Sequence, residues 1–490
     1  MSVRFEFTIP DEVSHVTKTL IKAGFEAFLV GGCVRDLILN KQPKDWDVTT
    51  NAIPEQIVAL FPKTFYENSF GTVGIVNETT TDPSLKIVEV TPYRLESTYS
   101  DNRRPDSVEF SQNLEDDLKR RDFTMNAIAL DSEGNAVDLF DGIKDILNKT
   151  IRTVGKPEDR FREDALRIIR AVRFQAELGF LVTHETQVAI QETANLLKNI
   201  SKERIRDEFI KILMSDNPAN AINLCNTLGL LDYIIPELKE GIGIDQNQAH
   251  SFDVWTHLMK TLQHAADKKW PLHIRLAALL HDIGKPKTRR RDAQKGDWTF
   301  YGHEVVGARM TAKILENLRF PKDLSETVVK LVRWHMFFSD TEQITLSAVR
   351  RMLANVGKEN IWDLMNVRIC DRIGTGRPKE NPYRLRKYKS MLEEVMRDPV
   401  SVGMLKIDGK GIMEATEIPP GPKIGYILHA LLEEVLEDPK LNTETFLVKR
   451  AKELVKLDLE TLKKIGDAGK EKKEQEDEKE LEIIRNKYKV

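Results

Sequence analysis

The chain has 490 residues, 41% of them hydrophobic, which is enough for globular folding and too long for one core, so roughly two to four domains are expected. A formal net charge of −3 excludes a polycation that takes nucleic acid through its overall field. No run of about 18 apolar residues suggests a membrane span, Met1–Glu6 lacks the apolar core of a secretory signal, and three widely spaced cysteines (Cys33, Cys225, Cys370) argue against a disulfide framework, so a reducing cytoplasm is expected.

Residues 11–23 read as an amphipathic helix, with Val13, Val16, Leu20 and Ile21 near helical spacing. Phe25–Val30 reads as a buried strand that runs into Gly31-Gly32-Cys33-Val34-Arg35-Asp36. Paired glycines let the backbone turn tightly and approach a ligand, with amide groups free to face phosphate oxygens. A helix beginning near Val34 aims its N-terminus at that turn, and Arg35 adds a planar positive fork suited to a triphosphate. In Asp45-Trp46-Asp47 the carboxylates alternate on an expected second strand and so point to one face. Hard oxygen donors placed in that way hold Mg²⁺ against a nucleotide's phosphates. Glycine turn, arginine and D-x-D together suggest nucleotidyl transfer.

A helix over 54–60 and strands over 71–76 and 86–91 complete a mixed α/β head of roughly 150 residues. Glu89 lies between Val88 and Val90 and has two readings: an outward-facing strand residue, or a third carboxylate beside Asp45 and Asp47. Residues 93–108 hold Arg94, Arg103, Arg104 and Pro105 among small polar residues and read as a loop, either a solvated connection or an element that moves over the site. Arg120-Arg121-Asp122-Phe123-Thr124-Met125-Asn126 sets two arginines and an aspartate beside an apolar segment, a pattern suited to phosphate and ribose. From Asp159 to Phe180 long helices are expected, with Asp164 and Arg167 as neighbours on one of them. That pair is either an ordinary surface ion pair or a donor–acceptor pattern able to read a base edge. Helices continue over 198–214 and 219–231.

Most of the ten histidines fall between positions 250 and 335. His257 is followed by Leu279-Leu280-His281-Asp282-Ile283-Gly284-Lys285, then by His303, His335 and Asp371. A lone helical histidine is usually a core or surface residue, but an apolar run ending in an adjacent His-Asp pair with further histidines is a metal-site signal. From about Pro378 the chain reads as helical and polar, with an amphipathic stretch over Thr443–Leu462 and a charged tail over Gly466–Lys489, solvated or partly disordered.

Taken together, these residues resemble the class II tRNA nucleotidyltransferases, the CCA-adding enzymes of the polymerase-β-like superfamily, over roughly the first half of the chain. Leu29–Asp36 with Asp45-Trp46-Asp47 is similar to the family's catalytic motif, Arg120–Ala127 to its ribose-binding motif, Asp138–Asp145 to its hinge segment, and Glu163-Asp164-Ala165-Leu166-Arg167 to its nucleotide-selecting E-D-x-x-R motif. Residues 245–375 resemble an HD-domain metal phosphohydrolase. His257, His281, Asp282 and Asp371 match its minimal ligand set, with His303 and His335 as extra histidines, so one or two divalent transition metals are implied there.

The architecture expected is α+β: a mixed α/β nucleotidyltransferase head (1–150), then an all-α neck (151–244), HD domain (245–376) and body with its tail (377–490). The resemblance implies that Asp45 and Asp47 are catalytic and hold Mg²⁺, and Glu89, from its place on the strand, is counted with them as a candidate catalytic carboxylate. It implies that Gly31, Gly32, Arg35, Arg121, Asp122, Asn126, Asp164, Arg167, Arg170 and Arg173 bind nucleotide, and that Arg103, Arg104, Lys119 and Arg120 meet RNA. Asp164 and Arg167 would pair with the Watson–Crick edge of CTP and then ATP, extending the 3′ end of tRNA, and the 93–108 loop would help the switch. A bacterial poly(A) polymerase typically carries a basic segment where this chain has Phe65–Gly71, which lacks arginines, and a CC-adding enzyme would lack the loop. An A-adding partner enzyme remains the alternative. A head reduced to RNA binding beside a working HD domain is disfavoured, because the motif residues are all present. The HD site is expected to hydrolyse phosphate esters, such as 2′,3′-cyclic phosphates at damaged RNA ends.

Overall fold

The computed structural model describes residues 4–5, 7–66, 71–96, 108–246, 251–292, 297–337 and 344–466. They form two compact units, 1–235 and 236–490. Among the described residues no helix is long and apolar enough to cross a membrane.

In the first unit, α1 (Asp11–Lys22) buries Val13, Val16 and Leu20 on one face as the spacing predicts, with Thr17 beside them, while Ile21, expected on that face, is exposed. It is followed by β1 (Ala27–Val30), α2 (Gly32–Ile38), β2 (Trp46–Thr50), α3 (Pro54–Leu60), β3 (Thr64–Tyr66), β4 (Val73–Val76) and β5 (Ile87–Pro92). Next come β6 (Arg94–Glu96), β7 (Val108–Phe110), α4 (Leu114–Lys119), β8 (Ile128–Leu130), β9 (Ala136–Asp138) and α5 (Gly142–Leu147). Seven of these strands make one mixed sheet in the order β3-β4-β5-β2-β1-β8-β9. Only β2 and β5 run parallel, with Asp47 opposite Glu89. Leu29 of β1 pairs with Val48 on one side and Leu130 on the other. Such a strand is covered on both faces and edges, which is why the sequence there is almost wholly apolar. The ends of the expected 93–108 loop are strands instead: β6 and β7 pair as an antiparallel ladder, and Tyr93 is buried with its hydroxyl donating to Glu26 Oε2 at 3.0 Å. Arg103 and Arg104 lie outside the described residues, as do residues 67–70 of the Phe65–Gly71 segment.

The unit continues through the short parallel pair β10 (Thr150–Ile151) and β11 (Leu181–Val182), and helices α6 (Pro157–Glu163), α7 (Leu166–Leu178), α8 (His184–Thr193), α9 (Lys202–Met214), α10 (Pro218–Thr227) and α11 (Leu231–Ile234). The helical stretch expected around Glu163–Phe174 is broken. Asp164 is extended (φ −136°, ψ 104°), and its Oδ1 accepts the Leu166 N–H at 3.0 Å, a local turn that ends α6 and starts α7.

Among its described residues the second unit is helical apart from one pair of strands. It contains α12 (Val254–Asp267), α13 (Leu272–Leu280), α14 (Lys285–Thr288), β12 (Arg290–Asp292) paired with β13 (Asp297–Thr299), α15 (His303–Asn317), α16 (Lys322–Trp334), α17 (Leu346–Val356) and α18 (Ile361–Gly374). Then follow α19 (Tyr383–Val395), α20 (Gly409–Thr416), α21 (Pro422–Glu437), α22 (Glu444–Leu454) and α23 (Leu459–Gly466). The amphipathic stretch over 443–462 is thus two helices. Arg350 ties α17 to later elements, donating to Asp398 Oδ2 at 2.6 Å and to the Leu436 carbonyl at 3.0 Å. The charged tail from 467 onward lies outside the described residues.

Candidate active site and metal centre

The turn between β1 and α2 depends on Gly31, whose φ of 82° lies in the region that side chains disfavour. A Cβ there would sit 3.1 Å from Arg121 Nη1 and 3.4 Å from Asp47 Oδ2, so both side chains close on the turn. A Cβ on Gly32 would meet Asp45 Oδ1 at 4.0 Å. Asp47 is on β2, while Asp45 sits in the bend just before it. Register brings Glu89 on β5 beside Asp47, and the Glu89 charge acts on that carboxyl. Burial, then the charge of Asp45, with Glu89 adding to both, push Asp47 up to about 7, and Arg121 opposes them. Three converging carboxylates with that excess of negative charge fit a divalent cation, since oxygen donors crowded together become favourable only when a cation shares them.

Behind the turn a polar chain links the expected nucleotide-binding residues. Arg35 donates through Nη1 to Asn126 Oδ1 at 3.0 Å and through Nη2 to Asp36 Oδ1 at 2.7 Å. Asn126 Nδ2 donates to Asp122 Oδ1 at 3.1 Å, and Arg170 Nε donates to Asp122 Oδ2 at 2.8 Å. Burial alone would raise Asp122, but Arg170 and Asn126 more than offset it and hold the carboxyl at about 2. Lys119, at the end of α4, is exposed. Arg120 and Arg121 both pair with Asp117, which is wholly buried. Burial would raise Asp117 too, yet the two guanidinium charges keep it at about 2. Asp117 thus fixes the Arg121 fork that faces Asp47. The sequence reading missed it, and its only local signal was an acidic residue three and four positions before two arginines.

Asp164 and Arg167 do not pair with each other as helix neighbours. Arg167 Nη1 bonds Glu163 Oε2 at 2.6 Å, and its Nη2 donates to the Arg120 carbonyl at 3.0 Å. Asp164 Oδ2 instead accepts from Arg204 Nη2 of α9 at 2.9 Å. Arg173 turns toward α9 as well, with Nε 3.0 Å from Glu208 Oε2 and its guanidinium 4.1 Å from the Phe174 ring centre. The ordinary ion-pair reading of Asp164 and Arg167 is therefore set aside. Each is held by other partners.

In the second unit the histidines and aspartates converge. His257, His281, Asp282 and Asp371 place one ligand atom each within 4.8 Å of one another, and so do Asp282, His303 and His335. The Asp282 carboxylate divides between the groups. Its Oδ2 lies 3.1 Å from His257 Nε2 and 3.2 Å from His281 Nε2, while its Oδ1 lies 3.1 Å from His303 Nε2 and 3.5 Å from His335 Nε2. Asp371 Oδ1 completes the first group, 3.4 Å from His257 Nε2. Nδ1 of His281, His303 and His335 faces the carbonyls of Ala278, Phe300 and Val332 at 3.0, 2.7 and 2.7 Å. A carbonyl only accepts, so each Nδ1 carries a hydrogen and each Nε2 is the ring atom left to face a metal. His303 Nε2 and His335 Nε2 are 3.3 Å apart with Asp282 Oδ1 between their reach, an arrangement of acceptors that a cation satisfies. The donor set of imidazole and carboxylate suits a transition metal.

Charge balance in the cluster points the same way. Burial would lower His281, but the Asp282 and Asp371 charges outweigh it and push it up to about 9, so these carboxylates draw positive charge to Nε2, a proton or a metal in its place. His335 is pushed down to about 4, by burial first and by the neighbouring His281 and His303. Lys285, unremarked in the sequence reading although it closes the His-Asp stretch, is buried and reaches Asp282 Oδ2 and Gln246 Oε1, each at 2.6 Å. Gly284 lets α15 come close: a Cβ there would stand 2.3 Å from the His303 carbonyl oxygen.

Three family models match the chain: the Poly A polymerase head domain over residues 27–152, the "Probable RNA and SrmB- binding site of polymerase A" over 179–242, and the HD domain over 248–372. With the acidic glycine turn, these define a nucleotidyltransferase joined to an HD domain. The CCA-adding enzyme of Ligilactobacillus salivarius (strain UCC118) is 32% identical over 451 residues, 91% of this chain and 98% of that protein. That of Geobacillus thermodenitrificans (strain NG80-2) is 33% identical over 444 residues, 89% of this chain and 96% of that protein. Among solved structures, the Bacillus stearothermophilus CCA-adding enzyme in complex with CTP matches with a TM-score of 0.68 and 30% identity, over 91% of this chain and 100% of that one. The chain belongs to the CCA-adding enzyme family.

Proposed function

We propose that the first unit adds C, C and A to the 3′ end of tRNA from CTP and ATP without a nucleic-acid template. The observation that carries this reading is the set of carboxylates Asp45, Asp47 and Glu89 around the Gly31 turn, faced by Arg121. Family membership and the likeness to a relative solved with CTP support the substrates. Asp45 and Asp47, with Glu89 beside them, would hold Mg²⁺, which supplies charge neutralisation at the reacting phosphate. Gly31 and Gly32 open the backbone to the triphosphate, and Arg35 and Arg121 offer it fixed positive forks. Asp122 and Asn126 take the ribose, oriented by Arg170, while Arg173 braces the reading helix against α9. Asp164 and Arg167 present acceptor and donor to the base edge. Lys119 and Arg120, with Arg103 and Arg104, are assigned to the RNA backbone. Transfer of this kind is mainly positioning and charge stabilisation, so these groups suffice.

We assign residues 1–150 to transfer, 151–244 to nucleotide selection, 245–376 to the HD site and 377–490 to the helical body. A second activity is favoured by the Asp282-bridged cluster: hydrolysis of phosphate esters, with 2′,3′-cyclic phosphates at RNA ends as the substrate class. There His257, His281, Asp282 and Asp371 would hold one metal, and Asp282, His303 and His335 a second. Both activities act on tRNA or its fragments, which implies a cytoplasmic enzyme.

The test is extension of a tRNA lacking its whole CCA end with labelled CTP, ATP and Mg²⁺. Stepwise addition of C, C and A is expected. Addition of A alone, and only to a tRNA already ending in CC, would replace this reading with an A-adding one.

A further inference from the structure

Helix α9 reaches the base-reading segment through two side chains one turn apart, Arg204 and Glu208. Arg204 Nη2 lies 2.9 Å from Asp164 Oδ2, and Glu208 Oε2 lies 3.0 Å from Arg173 Nε. Glu208 is nearly fully buried, and Asp164 keeps 18% of its side chain exposed beside a 30% exposed Arg204. Asp164 stands in extended backbone at the break between α6 and α7, so no helical neighbour fixes its rotamer. Its Oδ1 accepts the Leu166 N–H and its Oδ2 the Arg204 guanidinium, leaving about two of the roughly four lone-pair sites of the carboxylate for a ligand. Arg204 also carries a buried donor, Nη1, with no hydrogen-bond partner among the described residues.

We propose that Arg204 is a positioning residue for nucleotide selection, locking the Asp164 carboxylate as an acceptor aimed at the exocyclic amino group that cytosine and adenine share. Uracil and guanine carry a carbonyl at the corresponding edge, which an ionised carboxylate repels. With the carboxylate free to rotate, that rejection weakens. The proposal rests on the reading of Asp164 as a base-reading residue and adds to it the group that sets its aim.

The experiment measures single-turnover incorporation of CTP against UTP, and of ATP against GTP, by the full chain on tRNA acceptors ending before each position. Four proteins are compared: wild type, Asp164→Ala, Arg204→Ala and the double variant. Arg204→Ala should raise the UTP/CTP and GTP/ATP ratios roughly 10-fold to 100-fold, the size of one well-placed polar pair's discrimination. The double variant should be no less selective than Asp164→Ala alone, because Arg204 acts only through Asp164. Arg204→Lys keeps the charge without the planar fork and should fall between, which keeps the test open where the alanine variant does not fold. Equal loss of rate for all four nucleotides, or additive effects in the double variant, would overturn the positioning role while leaving Asp164 intact as the reader. Unchanged selectivity in Asp164→Ala would remove the reading itself, and the proposal with it.

Discussion

The two candidate centres of this chain both collect carboxylates, yet they are built in opposite ways. At the Gly31 turn, Asp45 is exposed and Asp47 half-buried, as suits a site that exchanges a nucleotide and pyrophosphate. In the HD unit, His257, His281, Asp282 and His335 are almost entirely buried, and three of the histidines are oriented from behind by backbone carbonyls. An open acidic site gains its cation with the substrate, because a hard ion with few protein ligands needs phosphate oxygens to complete its shell. A closed imidazole–carboxylate cage is preorganised to retain a metal on its own. The difference predicts that the first centre fails when its carboxylates go, and the second when its cage is broken, each without the other.

The largest effect expected is on transfer. Asp45→Ala with Asp47→Ala should lower CTP incorporation by roughly a thousand-fold or more, as removal of charge stabilisation at a transferring phosphoryl group does. Binding of tRNA, measured by filter retention, should change little, and metal in the HD cage should stay. Persistent incorporation would refute the metal role of the pair. The converse variant, His281→Ala with Asp282→Ala, should empty the cage as read by elemental analysis while leaving CCA addition in place. It also strands Lys285, buried against Asp282 and Gln246. Removing one partner of a buried pair costs about 3–5 kcal/mol, so a lower melting temperature of the second unit is expected. A wild-type protein that carries no metal and cleaves no phosphoester would leave a structural HD fold.

Asp117 tests the comparison from inside the first centre. Its native carboxyl is held at about 2, against roughly 3.9 for an unfolded chain. The lowered value means that its stabilisation is fully present above about pH 4 and disappears as pH falls toward 2, roughly 2–3 kcal/mol in all. Asp117→Asn should remove that acid-side loss and, near neutrality, destabilise the first unit by about 3–5 kcal/mol, because Arg120 and Arg121 lose a buried acceptor. Denaturation monitored from pH 2 to 7 separates the two profiles. An unchanged profile would mean that the arginines find other acceptors.

What the sequence disclosed about these centres was whatever chemistry is packed into adjacent residues. Asp45-Trp46-Asp47 and His281-Asp282 are local, whereas strand alternation left Glu89 with two readings and only the β2–β5 pairing sets it opposite Asp47. Partners distant in the chain were not legible. Arg204 lies 40 residues from Asp164, and only the packing of α9 on α7 joins them. The break at Asp164 was also hidden, because apolar spacing continues across it and masks the turn that its own carboxylate makes with Leu166. The spacing rule that made Asp164 and Arg167 neighbours assumed a continuous helix. Without one, Arg167 goes to Glu163 and Asp164 to Arg204. The β6–β7 ladder was missed for a related reason: charged and small polar residues mark solvent exposure, which a two-stranded ladder shares with a loop.

The smallest effect concerns fidelity rather than rate. Arg167 is fixed before any nucleotide arrives, by Glu163 Oε2 at 2.6 Å and by the carbonyls of Arg160 and Arg120 at 3.3 and 3.0 Å. A donor held so tightly presents the same face to every base, so its contribution lies in discrimination and little in barrier lowering. Arg167→Ala should therefore raise misincorporation of UTP and GTP by roughly 5-fold to 150-fold, about 1–3 kcal/mol, while slowing correct addition by less. Competition between labelled nucleotides on one tRNA acceptor measures both quantities together. The HD centre, which reads no base in this scheme, should show no change in phosphoesterase activity. Unchanged selectivity in the variant would move the reading of the base away from α7 and onto the RNA end itself.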